Sequence, residues 1–545
     1  MLTLLLSVIL TFSSPVNDVI SLAGNFGEPR PNHFHGGIDV KTGGVEGKPI
    51  FAIADGYVYA VTMGVGGFGN AVYVRHPNGT TSVYCHLKKF SPQITSILRR
   101  RQVEKQQNGG EIRFRPTDLP VAAHQLIAVS GNTGSSQAPH LHLEIHDTKT
   151  WDMLDPLDFV GDLITDGFAP LAHGFMAYPQ DGEGVFNGGA SKQSYGFSAH
   201  HLNREFTAWG KVGFGIWAND YMEITYNRYG VRKTQLIIDG DTIFSSDLAR
   251  IPVQSNMQVN AWGDYEHFLR YKIWYMRTYL LDGVTLDALH TDERRGIFDF
   301  NQQKTYQVLF LLTDYKGNQS QYSFTVKGVP TTIYKKNKAK SILNTLHSDR
   351  QQYFQLPGMS LCIRKGYLAE DVTLQPTVGE ATYSKSYRFL GRSCKLFRYT
   401  PLSIRLTKKV PDTSKLYITS DAPSNQFLGG TFRDGWVTGK ARELGATYRI
   451  AYDDTPPTIN PVNESSWSSS KMITIGVVDG ESGVASCKTY IDGRFVPMYD
   501  VPKSQWLRCD LRQSPIAKTN GNHEFKVIAT DRRNNQRVYT TTIKY

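Results

Sequence analysis

The stretch His35-Gly36-Gly37-Ile38-Asp39, read together with the later stretch His140-Leu141-His142, decides the fold and predicts a metal site. In an extended strand, His35 and Asp39 would share a face but lie roughly 13 Å apart, too far to bind one ion. The chain must therefore curl between them, and we expect the two glycines to permit this by adopting positive φ. His140 and His142 need no curl, because alternate residues of a strand project from the same face. Three nitrogens and one carboxylate then converge, and catalytic zinc sites commonly use three such ligands beside an open position.

A further histidine, His86, lies in the predicted strand 81–87. By the same alternation Tyr84 and His86 share one face, and Cys85 points to the other. One histidine more than three ligands require favours an enzyme over a structural zinc site, which cysteines would more often close. Cys85 itself is predicted to be a small buried residue.

Three motifs carry a resemblance to a known family. His35-Gly36-Gly37-Ile38-Asp39, Tyr84-Cys85-His86-Leu87, and Gly131-Asn132-Thr133-Gly134 followed by His140-Leu141-His142 resemble, in order and spacing, the signature of the lysostaphin-type (LytM-like) zinc endopeptidases. These enzymes cleave peptide bonds in bacterial peptidoglycan. The resemblance covers about residues 21 to 160 and implies an antiparallel β catalytic domain. It implies that His35, Asp39 and His142 bind Zn²⁺ and that His86 and His140 are catalytic.

Other histidines compete for these roles. His33 shares the parity of His35 and is the main alternative ligand, whereas His76, His124 and His146 are expected on the surface. Glu144 is expected to be a structural partner in the site strand and not a ligand.

The implied reaction is metal-assisted hydrolysis. The metalloprotease motif His-Glu-x-x-His is absent from the sequence, so proton transfer falls to His86 and His140. Which of the two is the general base stays open. The bond that is cut also stays open: some relatives cleave a polyglycine bridge, and Gram-negative relatives cleave a D-alanyl to diaminopimelyl link, which the multi-domain layout favours. The alternative is a non-catalytic envelope scaffold that binds peptidoglycan or a partner through the same domain.

Short alternating segments bounded by Gly, Asn, Asp and Pro dominate the 545 residues and predict a mainly β chain of several domains. We expect a signal peptide at 1–20, the lysostaphin-type metallopeptidase domain at 21–162, an Ig-like β-sandwich with an insertion at 163–330, a β-rich domain of no recognisable class at 331–452, and a C-terminal Ig-like β-sandwich at 453–545. The apolar run Leu2 to Phe12 is too short to cross a membrane and has the length of a signal-peptide core. It predicts export to the periplasm or cell envelope.

Local signals within the peptidase domain predict two hairpins and one helix. Asp55-Gly56 and Asn78-Gly79 each lie between apolar runs and are strong turn signals. Residues 91–107 read as a helical insert with Ser91 as its N-cap, placed at the rim of the substrate groove. The Gly-rich segment 64–69 opens no helix, so we expect it to form a groove wall or a plain loop.

A weak internal repeat organises the second half of the chain. The segment Thr313-Asp314-Tyr315-Lys316-Gly317-Asn318 is repeated as Thr530-Asp531-Arg532-Arg533-Asn534-Asn535, and Ile238-Asp239-Gly240 recurs as Ile491-Asp492-Gly493. Each copy resembles a bacterial Ig-like or fibronectin-like sandwich. These downstream domains are the expected site of a protein partner and of any control over the peptidase domain.

Charge and cysteine content limit the remaining classes. The net charge of +11 draws the chain to polyanions. Because the sequence carries no nucleic-acid-binding signature, we expect peptidoglycan peptides and an anionic cell wall, and not nucleic acid, as partners. No transmembrane span is predicted. Cys362 with Cys394, and Cys487 with Cys509, are candidate disulfide pairs.

Overall fold

The computed structural model describes residues 11–333, 344–422 and 426–545, and it is mainly β, as predicted. Almost all of its strand pairs are antiparallel; the strands His201–Met222 and Gln319–Gly328 run parallel. Among the described residues, no helix has the length and apolar character that a membrane crossing requires.

The N-terminal domain is built on one antiparallel sheet. In sheet order, its main path contains the strands Leu22–Gly24, Ile38–Lys41, His140–Asp147, Thr80–Cys85, Ala71–Arg75, Gly56–Met63 and Gly110–Arg113. A smaller sheet contains Pro49–Phe51, Leu126–Val129 and Lys89–Phe90. Leu141, Leu143 and Ile145 point into the apolar core, so the histidines that alternate with them face the other side of the sheet.

One of the two hairpin predictions is correct. Asn78-Gly79 turns between the paired strands Ala71–Arg75 and Thr80–Cys85. Asp55-Gly56 is not a hairpin turn, because Pro49–Phe51 pairs with Leu126–Val129 in the smaller sheet instead. A dipeptide signals a turn locally, but it does not determine which strand becomes the hydrogen-bonded neighbour.

The longest helix among the described residues spans Pro92–Lys105, and the Ser91 side chain accepts a hydrogen bond from Ile94 N at its start. Its predicted place at the groove rim is wrong, because none of its residues lines the groove, and the C-terminal domain contacts one side of it. Tyr499 Oη donates to Gln102 Oε1 on this helix at 3.1 Å.

The N-terminal domain begins earlier than the sequence predicted. Residues 1–10, which hold most of the apolar run, lie outside the described residues. Val16 and Ile20 are buried in the core of the domain, and Pro15 O accepts a hydrogen bond from Phe51 N. The predicted boundary after residue 20 therefore falls inside a packed segment, and removing that segment would take apolar side chains out of the core.

The second domain forms one hydrogen-bonded sheet. In sheet order, its main path contains Gln193–Gly196, Leu171–Phe186, His201–Met222, Gln319–Gly328, Thr305–Thr313, Lys233–Ile238, Asp241–Asp247 and Leu289–Thr291. Short helices lie at Val259–Trp262 and Tyr265–Tyr271. Its core includes Phe34 of the first domain, which contacts Trp262 with ring centroids 5.9 Å apart. The two domains therefore share one apolar core beside the predicted site.

Among the described residues, the third domain contains two five-stranded sheets and one two-stranded sheet, and the fourth contains two four-stranded sheets. In sheet order, one five-stranded sheet of the third domain contains the strands Gln352–Leu356, Met359–Ile363, Lys395–Arg405, Trp436–Glu443 and Thr431–Arg433. The other five-stranded sheet contains Thr377–Glu380, Lys385–Arg388, Thr447–Tyr452, Leu416–Ser420 and Gln426–Phe427. One sheet of the fourth domain contains the strands Thr458–Pro461, Met472–Val478, Trp506–Asp510 and Tyr499–Asp500. The other contains Arg494–Phe495, Val484–Ile491, Asn522–Asp531 and Gln536–Lys544. In the fourth domain the two sheets share one apolar core. Their classification as Ig-like stays a prediction.

The disulfide predictions are wrong in this structure. All five cysteines are free thiols. Cys487 and Cys509 lie in strands of the two different sheets of the fourth domain. Cys85 is fully buried, as predicted.

Candidate metal centre

Three side chains from two strands and one loop meet at a single point. Strand His140–Asp147 pairs with Ile38–Lys41 in a register that sets His142 directly opposite Asp39. Asp39 Oδ1 lies 2.8 Å from His142 Nδ1 and 3.1 Å from His35 Nε2, and the two ring nitrogens are 3.0 Å apart. All three side chains are buried. The structure thus brings together the three predicted ligands, and their binding of a metal stays a prediction.

The two glycines between His35 and Asp39 act differently from the prediction. Neither Gly36 nor Gly37 has positive φ. A Cβ atom at Gly37 would instead overlap the carbonyl oxygen of Leu143 on the neighbouring strand. Close approach of two backbones, and not a left-handed conformation, is therefore what requires glycine here.

Each histidine of the site has one ring nitrogen engaged by a fixed acceptor. His35 Nδ1 donates to Asn25 O at 2.6 Å, His86 Nδ1 to Thr133 O at 2.9 Å, His140 Nδ1 to Ala138 O at 2.7 Å, and His142 Nε2 to Glu144 Oε1 at 2.9 Å. An acceptor at one nitrogen fixes the tautomer and leaves a lone pair on the other. Nε2 of His35 and Nδ1 of His142 therefore face Asp39 as ready ligands.

The donor set fits a tetrahedral metal. Ligand atoms about 2.0–2.1 Å from a zinc ion lie about 3.3 Å from one another. The three donors are 2.8–3.1 Å apart, and two imidazoles with one carboxylate are typical of a catalytic site that keeps an open position. Only small adjustments would admit an ion.

Arg30, Glu144 and His146 support this centre through hydrogen bonds. Of these three, the sequence indicated a supporting role only for Glu144. Arg30 Nη2 donates to Asp39 Oδ2 at 2.8 Å. Glu144 Oε2 accepts from His146 Nε2 at 2.6 Å while its other oxygen holds His142. Glu144 is thus the structural partner that was predicted. The expectation that His146 lies on the surface is wrong, because it is 3% exposed, and His76 is also buried.

Burial and neighbouring charges set the protonation of the site. Burial lowers the pKa of His35 to about 4 and, together with the neighbouring histidines, that of His86 to about 3. Burial also disfavours the charged form of His142, but hydrogen bonds to Asp39 and Glu144 outweigh it and raise its pKa to about 9. Burial disfavours the charged form of Glu144, but hydrogen bonds from His142 and His146 outweigh it and lower the pKa of Glu144 to about 2. Around neutral pH, without a metal, His142 is therefore protonated, and its Nδ1 must lose this proton before it can act as a ligand.

A groove of about 1000 Å³ opens over this centre. His86 and His140 line it, with ring centroids 4.9 Å apart, and His86 has φ 61°. Such a backbone conformation in a non-glycine residue costs energy and is concentrated at functional sites. His33 also lines the groove, but it is exposed and its Nδ1 contacts Pro31 O, so it does not join the three donors.

The walls of the groove come from the first domain and, at Val253 and Asn256, from the second. Phe68, from the predicted Gly-rich segment, forms one side. Ser136 belongs to the adjacent loop, whose carbonyl oxygens at Gly134 and Ser136 accept hydrogen bonds from Lys503 Nζ at 2.9 and 2.6 Å. The fourth domain therefore holds one wall of the groove in place.

Replacing Glu144 by glutamine is expected to weaken metal binding about 10- to 100-fold. A glutamine side chain offers one acceptor and one donor, so it cannot accept hydrogen bonds from both His142 and His146. Competition titration with a zinc indicator measures the change, and E104Q, on the exposed face of the helix, is the matched control. Equal affinity in E144Q and the unchanged chain would show that Glu144 does not orient His142.

Fold and site together describe a β-sheet domain with the donor set of a catalytic metal centre. The family model described as Peptidase family M23 matches residues 33–117, and a model described as Zu5-like domain matches residues 343–453. Lipoprotein NlpD of Yersinia enterocolitica is 33% identical over 102 residues, which cover 19% of this chain and 80% of that protein. The chain belongs to Peptidase family M23 through its N-terminal domain, which confirms the predicted lysostaphin-type resemblance.

Other relatives share the same region. The DD-carboxypeptidase/endopeptidase Mpg of Neisseria meningitidis serogroup B is 37% identical over 110 residues, which cover 20% of this chain. The match spans about a fifth of the length of that relative. The catalytic domain of lysostaphin from Staphylococcus simulans aligns with a TM-score of 0.19 and 24% identity, covering 25% of this chain and 89% of that domain. The match to the Zu5-like domain model falls on the third domain, for which the sequence indicated no class.

Proposed function

We propose that the chain is a zinc-dependent endopeptidase that hydrolyses peptide bonds in the stem or cross-link peptides of peptidoglycan. The observation that carries this proposal is the convergence of His35 Nε2, Asp39 Oδ1 and His142 Nδ1 within 3.1 Å of one another at the floor of an open groove. Membership of Peptidase family M23 and similarity to a relative named DD-carboxypeptidase/endopeptidase support the reaction class.

His35, Asp39 and His142 would hold the zinc ion through these atoms. When bound, zinc supplies Lewis acidity, which lowers the pKa of water towards neutrality and polarises the scissile carbonyl. Arg30 and Glu144 keep two of the three ligands oriented through the hydrogen bonds described above.

His86 and His140 would transfer the protons. Both rings donate Nδ1–H to a backbone carbonyl and so present the lone pair of Nε2. One of them, as a neutral ring, would accept the proton of the attacking water at Nε2, and the other, when protonated at Nε2, would stabilise the oxyanion or protonate the leaving amine. Both are held by backbone atoms, so their orientation does not depend on a bound substrate.

Chelation is expected to stop the release of muropeptides from isolated peptidoglycan, and added zinc should restore it. Chromatography with mass spectrometry of the released fragments measures the activity and identifies the cleaved bond; we expect the D-alanyl to diaminopimelyl link and not a polyglycine bridge. A scaffold would bind peptidoglycan and contain metal, yet release no fragment at any zinc concentration. That outcome would contradict the proposed hydrolase.

This function requires export, since peptidoglycan lies outside the cytoplasmic membrane. The net charge of +11 supports retention near an anionic cell wall. We therefore propose the periplasm or cell envelope as the location, with the downstream β domains as the surface for a protein partner.

A further inference from the structure

A second group of metal-type ligands lies outside the lining of the groove, where the second domain begins. Asp166 precedes the strand Leu171–Phe186, Asp220 lies near the end of His201–Met222, and Asp314 follows Thr305–Thr313. One carboxylate oxygen from each lies within 4.8 Å of the others. Asp220 and Asp314 are 1% and 2% exposed.

Two carboxylate oxygens of this cluster lack a hydrogen-bond donor, although Asp314 accepts three hydrogen bonds from the turn that follows it. Asp220 Oδ1 and Asp166 Oδ2 are buried and have no hydrogen-bond partner. Burial, with neighbouring carboxylates second, raises the pKa of Asp220 to about 9 and that of Asp166 to about 7. Lys316 acts on Asp166 only weakly, and its ammonium lies 3.4 Å from the exposed Asp162. Buried carboxylate oxygens without donors are costly unless a cation neutralises them.

The same arrangement occurs at the start of the fourth domain. A second group with mutually close oxygens consists of Asp453, Asp479 and Asp531. Asp314 and Asp531 occupy the same position of the internal sequence repeat, four residues before an asparagine. Asn318 Nδ2 donates to Asp314 Oδ2 at 2.7 Å, and Asn535 Nδ2 donates to Asp531 Oδ2 at 2.7 Å. The repeat therefore preserves the orientation of a carboxylate and not only an apolar pattern.

Each asparagine also reaches the chain segment that leads into its domain. Asn318 Nδ2 donates to Asp166 O at 3.3 Å, and Asn535 Nδ2 donates to Asp453 O at 2.9 Å. In both domains an aspartate of the entering segment is thus brought against the turn that follows a core strand. A cation held between them would attach the entering segment to the sheet.

We propose that Asp166, Asp220 and Asp314 bind a divalent cation of the calcium class. The donors are carboxylate oxygens only, which suit hard cations, whereas zinc and copper favour nitrogen and sulfur. Calcium takes oxygens at 2.3–2.6 Å, so two of its ligands lie up to about 5 Å apart, in agreement with the observed separation. The site is independent of the proposed hydrolase.

Calcium titration of the chelator-treated full chain tests this proposal. We expect D220N to bind one calcium ion fewer per chain than the unchanged protein, by calorimetry and elemental analysis. Calcium retained by D220N would belong to other sites, among them the equivalent group of the fourth domain. D162N, which changes an exposed acid of the same segment, should bind as much calcium as the unchanged protein.

Thermal unfolding gives a second measurement that a merely structural role would not reproduce. In chelator, D220N should unfold at the same or a higher temperature than the unchanged chain, because the substitution removes a buried carboxyl group whose ionisation is opposed by burial and by two neighbouring acids. With calcium the order should reverse. Should D220N not fold, D166N at the half-buried edge of the cluster gives the same comparison. Equal calcium stoichiometry in the folded variant and the unchanged chain, or an unfolding temperature that calcium leaves unaltered, would overturn the proposal.

Discussion

Replacement of Asp39 by asparagine is expected to remove both the bound metal and the hydrolytic activity. Asp39 Oδ1 is the one atom close to both ligand imidazoles, 2.8 Å from His142 and 3.1 Å from His35, and asparagine keeps its shape without its charge. Metal content should fall from about one ion per chain to near zero. Because the metal contributes several kcal/mol to transition-state stabilisation, muropeptide release should fall about 10³-fold or more.

Three measurements separate this effect from unfolding. Metal is determined by elemental analysis, activity by muropeptide release, and folding by thermal unfolding and circular dichroism. E104Q is a suitable control, since this acid lies on the exposed helix surface. A folded D39N chain that retained its metal and its activity would show that the ion binds elsewhere.

Alanine at His86 or at His140 is expected to abolish activity while leaving the metal bound. General acid and base groups contribute about 10²- to 10⁴-fold to rate, and neither ring belongs to the group of three converging donors. His124, an exposed histidine of the same domain, provides the matched control H124A. The measurement is zinc per chain beside the rate of muropeptide release.

For His140, the experiment must also test whether the ring is a metal ligand. Its Nε2 lies 3.3 Å from Asp39 Oδ1, close enough that a small rotation would make it a ligand. Loss of zinc in H140A, but not in H86A, would therefore move His140 into the coordination sphere and leave His86 as the proton-transferring residue. Full activity in either folded variant would contradict the proposed mechanism.

The sequence predicted the parts of the site that depend on strand alternation. His140 and His142 flank Leu141, so the polar and apolar faces of that strand follow from period-two alternation alone. The gathering of His35, Asp39 and His142 was implied by the family resemblance. Their distances depend on the register that sets His142 opposite Asp39, and no local pattern fixes that register.

What the sequence could not predict are the contacts between distant backbone atoms and side chains. Asn25 O and Thr133 O orient two histidines, yet any residue type supplies a carbonyl oxygen. His146 alternates with apolar residues exactly as a surface histidine would, and only its contact with Glu144 reveals its role. The core shared by Phe34 and Trp262 joins residues more than two hundred positions apart, which periodicity does not report.

The hydrogen bonds from Lys503 to the carbonyl oxygens of Gly134 and Ser136 connect the fourth domain to the groove of the first domain. The loop they hold belongs to the first domain, whereas the lysine belongs to the fourth, so these two contacts exist only when the fourth domain is docked on the first. A chain that is misassembled, or cleaved between the domains, would keep all five histidine and aspartate side chains of the site. It would lose the two hydrogen bonds from Lys503 to the loop that forms one wall of the groove. The geometry of the groove in the first domain would in this way depend on the correct assembly of the downstream domains.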